Sequence, residues 1–177
     1  ALGIRHEKGR NSEIMASAIA QLPPEPYEVL CTCLENIEPD HKLFAALSKR
    51  MLASLQDEAT TANHVAAQIR GISNAHNEEA KRDLLLAVLA TPHAQEAEVL
   101  AAIATRCSIS LRFPELLKPY LEALAAGKSG QVGFSRILAD LMFMPDLRAL
   151  ILHVFRNPDR SEKLSEAIGQ MFGGNLS

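Results

Sequence analysis

The chain has no tryptophan and few aromatic residues of any kind, six Phe and two Tyr in 177 residues. A core made from it lacks large planar side chains and must close by interdigitating Leu, Ala and Ile, which lets helices approach closely. β-Branched residues are thin as well: Val 6, Ile 11 and Thr 5, against Ala 26 and Leu 25. Small and unbranched side chains lose little rotamer freedom in a helix, whereas β-branched ones favour strands. This balance argues against a sheet and predicts an all-α protein.

Cysteine is scarce too. Three are present, two of them in Cys31-Thr32-Cys33, which makes no disulfide framework and fits a reducing, cytoplasmic setting. Charge of either sign is not concentrated: the net charge is −3 and the pI near 6.1. A nucleic-acid partner is therefore not expected, since it calls for a dense basic surface. Arg5, Lys8 and Arg10, diluted by Glu7, read as a solvated chain end. No apolar run reaches the ~18 residues of a membrane span. The strongest candidate, 137–155, is interrupted by Asp140, Pro145, Asp146 and Arg148. No signal peptide opens the chain, and its first residue is Ala. Residues 1–177 thus read as one all-helical domain, a piece of a longer polypeptide whose upstream part could hold the function.

What the chain does have is punctuation. Four X-Pro-polar steps end one apolar run and open the next: Glu38-Pro39-Asp40, Thr91-Pro92-His93, Met144-Pro145-Asp146 and Asn157-Pro158-Asp159. Proline suits a first helical turn, where its missing N–H would be unpaired anyway, and it pushes the preceding residue out of the helical region. An acid just after it favours the positive helix end. Pro39, Pro92 and Pro145 are evenly spaced, but the apolar positions around them superpose poorly, so coincidence is preferred to internal repetition.

Apolar periodicity places the helices. The first is capped at Asn11 or Ser12, carries Ile14, Met15, Ala18, Ile19 and Leu22, and ends at Pro23-Pro24. Helices over about 25–37 (face Leu30, Leu34, Ile37), 40–55 and 60–72 follow. Asn77 caps a run over 78–90 whose Leu84 to Leu89 segment is apolar on most sides and so central. Further helices are predicted over 94–107, from Pro114 (buried Leu116, Leu117, Tyr120, Leu121, Leu124), and over about 131–143, 145–156 and 159–172, the last stopped by Gly173-Gly174. About ten short helices with brief loops imply antiparallel neighbours, either a HEAT-like superhelical stack of hairpins or a globular bundle.

No catalytic constellation emerges. Gly127-Lys128-Ser129 lacks the upstream glycine of a phosphate loop, since position 122 is Glu, and lacks a preceding strand. Cys31 and Cys33 point to different sides of a helix and cannot grip one ion, so both read as buried or half-buried structural thiols. Six histidines are scattered singly, and no Gly-x-Ser-x-Gly elbow or dinucleotide turn is present. No cofactor and no metal is expected. The notable polar residues are arginines at helix ends: Arg70 near Asn74, and Arg106 and Arg112 with Phe113. They can bond the last carbonyls of their helices. In a sharper reading, Arg70, Asn74, Arg106, Arg112 and Phe113 line one edge of the stack as a binding patch.

Three segments carry a resemblance: Leu22-Pro23-Pro24-Glu25-Pro26 with Cys31-x-Cys33-Leu34-Glu35-Asn36; Arg70-Gly71-Ile72-Ser73-Asn74; and Glu98 to Cys107. With the ending Asn157 to Glu162 and Ala167-Ile168-Gly169, they resemble the C-terminal half of an uncharacterised domain family of gammaproteobacteria. The resemblance implies a bacterial cytoplasmic protein and supplies no catalytic residues. The expected function is a non-catalytic interaction or scaffold module for a protein or peptide. An enzyme or regulatory domain with an interhelical pocket, and a structural domain supporting an upstream half, are the alternatives.

Overall fold

The computed structural model describes residues 4–173, with side chains from residue 11 onward. The side chains of Arg5, Glu7, Lys8 and Arg10, and Gly174 itself, lie outside the described residues. Among the described residues the chain is all-helical, with ten α-helices and no strand. It divides into two compact units, residues 1–84 and 85–177.

In the first unit, α1 (Ile4–Ile19), α2 (Pro24–Leu34), α3 (His41–Ser54) and α4 (Ala62–Ile72) pack with α1 on α3 and with α2 and α3 on α4. α4 is the enclosed helix: eight of its residues are buried, from His64 to Ile69 and at Gly71 and Ile72. That role was expected of α5 (Glu78–Leu89), which buries Leu84, Leu85 and Val88. In the second unit, α7 (Pro114–Ala125) touches α6 (Ala97–Arg106), α8 (Gly130–Met142), α9 (Pro145–Arg156) and α10 (Glu162–Gly173). Its buried face is Leu116, Leu117, Tyr120, Leu121 and Leu124, as the periodicity predicts. The Tyr120 hydroxyl donates to the Leu100 carbonyl at 3.0 Å, which fastens α7 to α6.

The proline steps are built in four different ways. Only Pro145 sits in the first turn of an α-helix. Pro39 precedes the helix, and Asp40 serves as the N-cap rather than as a first-turn acid. Pro92 opens a 3-10 turn over Pro92–Gln95, so α6 starts three residues later than expected. Pro158 lies in a turn in which Asn157 accepts from the Asp159 amide at 2.9 Å. Ser161 then caps α10, accepting from the Leu164 amide at 3.1 Å. A side-chain acceptor three residues ahead satisfies a helix-end donor, which proline cannot do. α1 also begins earlier than its expected cap, so Asn11 and Ser12 lie inside it. The buried face of α2 is Tyr27, Cys31 and Leu34, one step round from the expected Leu30, Leu34 and Ile37, and Ile37 is exposed.

The Asp40 cap carries a pH signature. The Leu43 amide donates to its carboxylate at 2.9 Å and holds the group below its ordinary value of 3.8. A depressed folded value means that the stabilisation is complete above the unfolded value and is lost as pH falls through the folded one. Asp40→Asn retains the cap but not the charge. Urea midpoints of wild type and Asp40→Asn should therefore converge between about pH 5 and pH 2, and parallel curves would refute the assignment.

Candidate functional site

Among the described residues, two of the places that gather chemistry or leave apolar surface open lie one in each unit. In the first unit a cleft of about 220 Å³ is lined by Glu28, Arg50, Ser54, Asp57, Thr61 and His64, among others. Many of the polar groups there are already engaged. The Arg50 guanidinium lies 3.9 Å over the Tyr27 ring and donates to the Leu22 carbonyl at 2.6 Å, and also to that of Ile19, so it caps α1. The buried His64 meets Glu28 through Nδ1 at 2.8 Å and tilts against Tyr27. Gln68 donates to Ser54 at 3.0 Å, and Asp57 accepts from the Ala59 amide at 2.9 Å.

Burial pushes the Cys31 thiol up to about 11 and lifts the Tyr27 phenol well above its ordinary value. A thiol in that state is a small hydrophobe rather than a nucleophile. Cys33, expected to be buried or half-buried, is exposed, and Cys31 and Cys107 are buried. Among the described residues no group of three or more His, Cys, Asp or Glu could hold a metal ion. The cluster joins α1, α2, α3 and α4.

The second place lies in the second unit. α8 buries Phe134, Leu138 and Leu141. On a helix of about 100° per residue, Val132, Arg136, Ala139 and Phe143 fall within about 60° of one another on the opposite side. Phe143 follows the helix end with helical φ −70° and ψ −20°, so it continues that line. Val132 is 80% and Phe143 81% exposed, the highest values among the exposed large apolar side chains of the described residues. Ala139, half-buried, lies low between them. The other exposed large apolar side chains on helices, Ile14, Val29, Leu52 and Phe172, stand one to a helix. Among the described residues only the line that runs along α8 and on into its C-cap Phe143 carries two.

Beside this line runs a groove of about 650 Å³ between α6 and α8. Small side chains of α6 (Ala97, Ala101, Ala104) and Gly133 of α8 form it, with Ile137, Leu141 and Met144. Gly133 is required there, because a Cβ would come within 2.3 Å of the Ser129 Cβ and 2.0 Å of its hydroxyl. Arg136 and Asp140 stand at the groove edge.

The arginine patch expected from the sequence divides between the units. Arg70, half-buried in the last turn of α4, and Asn74, whose amide donates to the Glu35 carbonyl at 2.5 Å, belong to the first. Arg106 ends α6, Arg112 pairs with Asp146 at 3.2 Å, and the half-buried Phe113 is the N-cap of α7, all in the second.

The model of a family described as "Protein of unknown function (DUF3549)" matches residues 1–172. The chain belongs to that family. No curated protein and no solved structure matches the chain. The DUF3549 description assigns no chemistry to any residue, so the outward line of α8 and its groove stand on geometry. No helix among the described residues is long and apolar enough to cross a membrane.

Proposed function

We propose that this DUF3549 chain is a non-catalytic interaction module that takes an amphipathic helix of a protein partner along α8 and the groove beside it. One observation carries the reading: Val132 and Phe143 both stand in solvent on one line of a helix whose other side already fills the core. Water around two such side chains costs free energy that a partner's apolar stripe removes. The half-buried Ala139 between them, and a groove floored by Ala and Gly, admit a helix closely. Arg136 and Asp140 at the edge offer both signs of charge to the partner's polar flank. The same reading includes a reducing, cytoplasmic setting, in which Cys31, Cys33 and Cys107 stay thiols, and a HEAT-like arrangement of helical hairpins.

Photo-cross-linking amino acids placed singly at Val132, Phe143 and, as a control, Val29 on α2 test it in cells producing the full chain. Adducts of defined mass are expected from positions 132 and 143, with the linked partner peptide mapping to an amphipathic helix. Adducts from all three positions alike, or from none, overturn the reading.

A further inference from the structure

We infer that the helix received by α8 is α8 of a second copy of this chain, paired antiparallel about a two-fold axis. This deepens the reading above and rests on it. A two-fold interface must be self-complementary, the same patch serving both partners. The outward line of α8 carries large apolar groups at its ends, Val132 and Phe143, and between them the exposed Arg136 beside the small Ala139. Turned through a two-fold, the two lines approach where each Ala139 faces the partner's Arg136 stem, and each Phe143 then meets the partner's Val132. The groove of Ala101 and Gly133 runs along the adjacent flank of the same helix and receives the edges of those end side chains. A line of uniformly large residues would hold the two backbones apart.

Charge gives the register. Val132 and Phe143 lie about three turns apart. The antiparallel alignment that sets one against the other also lays the Arg136 stem across the partner's Ala139, with its guanidinium beside the partner's Asp140. By symmetry each contact occurs twice. Neither Arg136 nor Asp140 takes part in an ion pair among the described residues. The two charges are therefore available to each other across the axis, where opposite signs fix alignment more than they add affinity. The parallel alternative stacks Arg136 on the partner's Arg136 and Asp140 on the partner's Asp140, which repel. Positions 132, 136, 139 and 143 also follow the alternating steps of four and three of a helix–helix seam, and three of the four are apolar.

The measurement is sedimentation equilibrium on the purified chain over a concentration series, with circular dichroism to confirm that each variant is helical. Wild type is expected to move from the 19.3 kDa monomer to twice that mass. Phe143→Glu should weaken dimerisation by at least about tenfold, because a buried apolar anchor becomes a desolvated charge. Arg136→Asp and Asp140→Arg, each placing like charges across the axis, should each weaken it. The double variant Arg136→Asp/Asp140→Arg should recover it, an outcome that unfolding does not produce. Wild type monomeric throughout the series, or a dimer indifferent to Phe143→Glu, or no recovery in the double variant, overturns the self-pairing. If the chain is monomeric while cross-linkers at 132 and 143 still capture an amphipathic helix of another protein, the interaction reading survives and only the second copy is excluded. If both experiments are negative, both fall.

Discussion

Replacing Lys81 with Met should lower the unfolding free energy by roughly 3 kcal/mol, although the substitution deletes only one charge. Lys81 is 2% exposed. Its ammonium donates to the Ser73 carbonyl at 2.8 Å, the Ala75 carbonyl at 3.1 Å and the Glu78 carboxylate at 2.7 Å. The first two partners lie just beyond the end of α4, where a helix leaves carbonyls without internal donors. Methionine keeps the apolar stem but leaves both carbonyls without a donor in a site closed to water, and each such group costs about 1–3 kcal/mol. Lys128→Met is the control. Lys128 also meets a carboxylate, that of Glu96, but its side chain is 65% exposed, and such surface pairs are worth about 1 kcal/mol or less. Urea denaturation of both variants decides the matter, with amide exchange at residues 73–81 as a local reading. Equal, small losses in the two variants would show that the Lys81 contacts carry no special weight.

The sequence hides Lys81 for a reason that recurs across the chain. Periodicity reports which positions are apolar, and a buried cation tied to the carbonyls of the preceding loop leaves no trace in it. The available signal was indirect: a lysine in the first turns of a helix, close behind a helix end at Ile72 and a short polar break. α7 shows the opposite case. Its five buried residues are all large and apolar, so the spacing alone gives the face. α2 lies between these extremes. Tyr27 and Cys31 occupy its buried face, and counting only aliphatic residues turns that face by one position. α1 begins ahead of the cap the sequence suggests because a polar first half carries no apolar rhythm to mark it.

The α8 surface was illegible for a different reason. Val132, Phe134, Ile137, Leu138, Ala139, Leu141, Met142 and Phe143 put apolar groups on nearly every side of one helix. Such a helix reads as enclosed. Which stripe the core takes depends on what packs there, and α9 and α10, together with α6 and α7, cover only part of the circumference. The line left outside is therefore a tertiary fact. The arginines at helix ends were legible as residues: Arg70 and Asn74 fall in one unit and Arg106, Arg112 and Phe113 in the other.

Gly71→Leu should destabilise the first unit by about 3 kcal/mol, and even Gly71→Ala should be unfavourable by about 1 kcal/mol net. At an exposed helix position Gly→Ala stabilises by up to about 1 kcal/mol, because alanine restricts the unfolded chain. Here a Cβ on α4 would meet the Cys31 Sγ at 3.0 Å, its Cβ at 3.1 Å and its Cα at 3.2 Å. The last two atoms belong to the stem and backbone of α2 and cannot rotate away, so the helices must separate. In a Cys31→Ala background the sulfur contact disappears and the backbone contact does not. The cost of Gly71→Ala should then fall without vanishing, giving a coupling of about 0.5–1 kcal/mol. The cysteines supply a second reading. Cys31 is buried with its thiol pushed up to about 11, whereas Cys33 is exposed. Loosening α2 from α4 should accelerate labelling of Cys31 by a thiol reagent and leave the rate at Cys33 unchanged. A stabilised Gly71→Ala variant with unaltered Cys31 labelling would show that α2 and α4 have room to spare, and that the glycine is not what sets their approach.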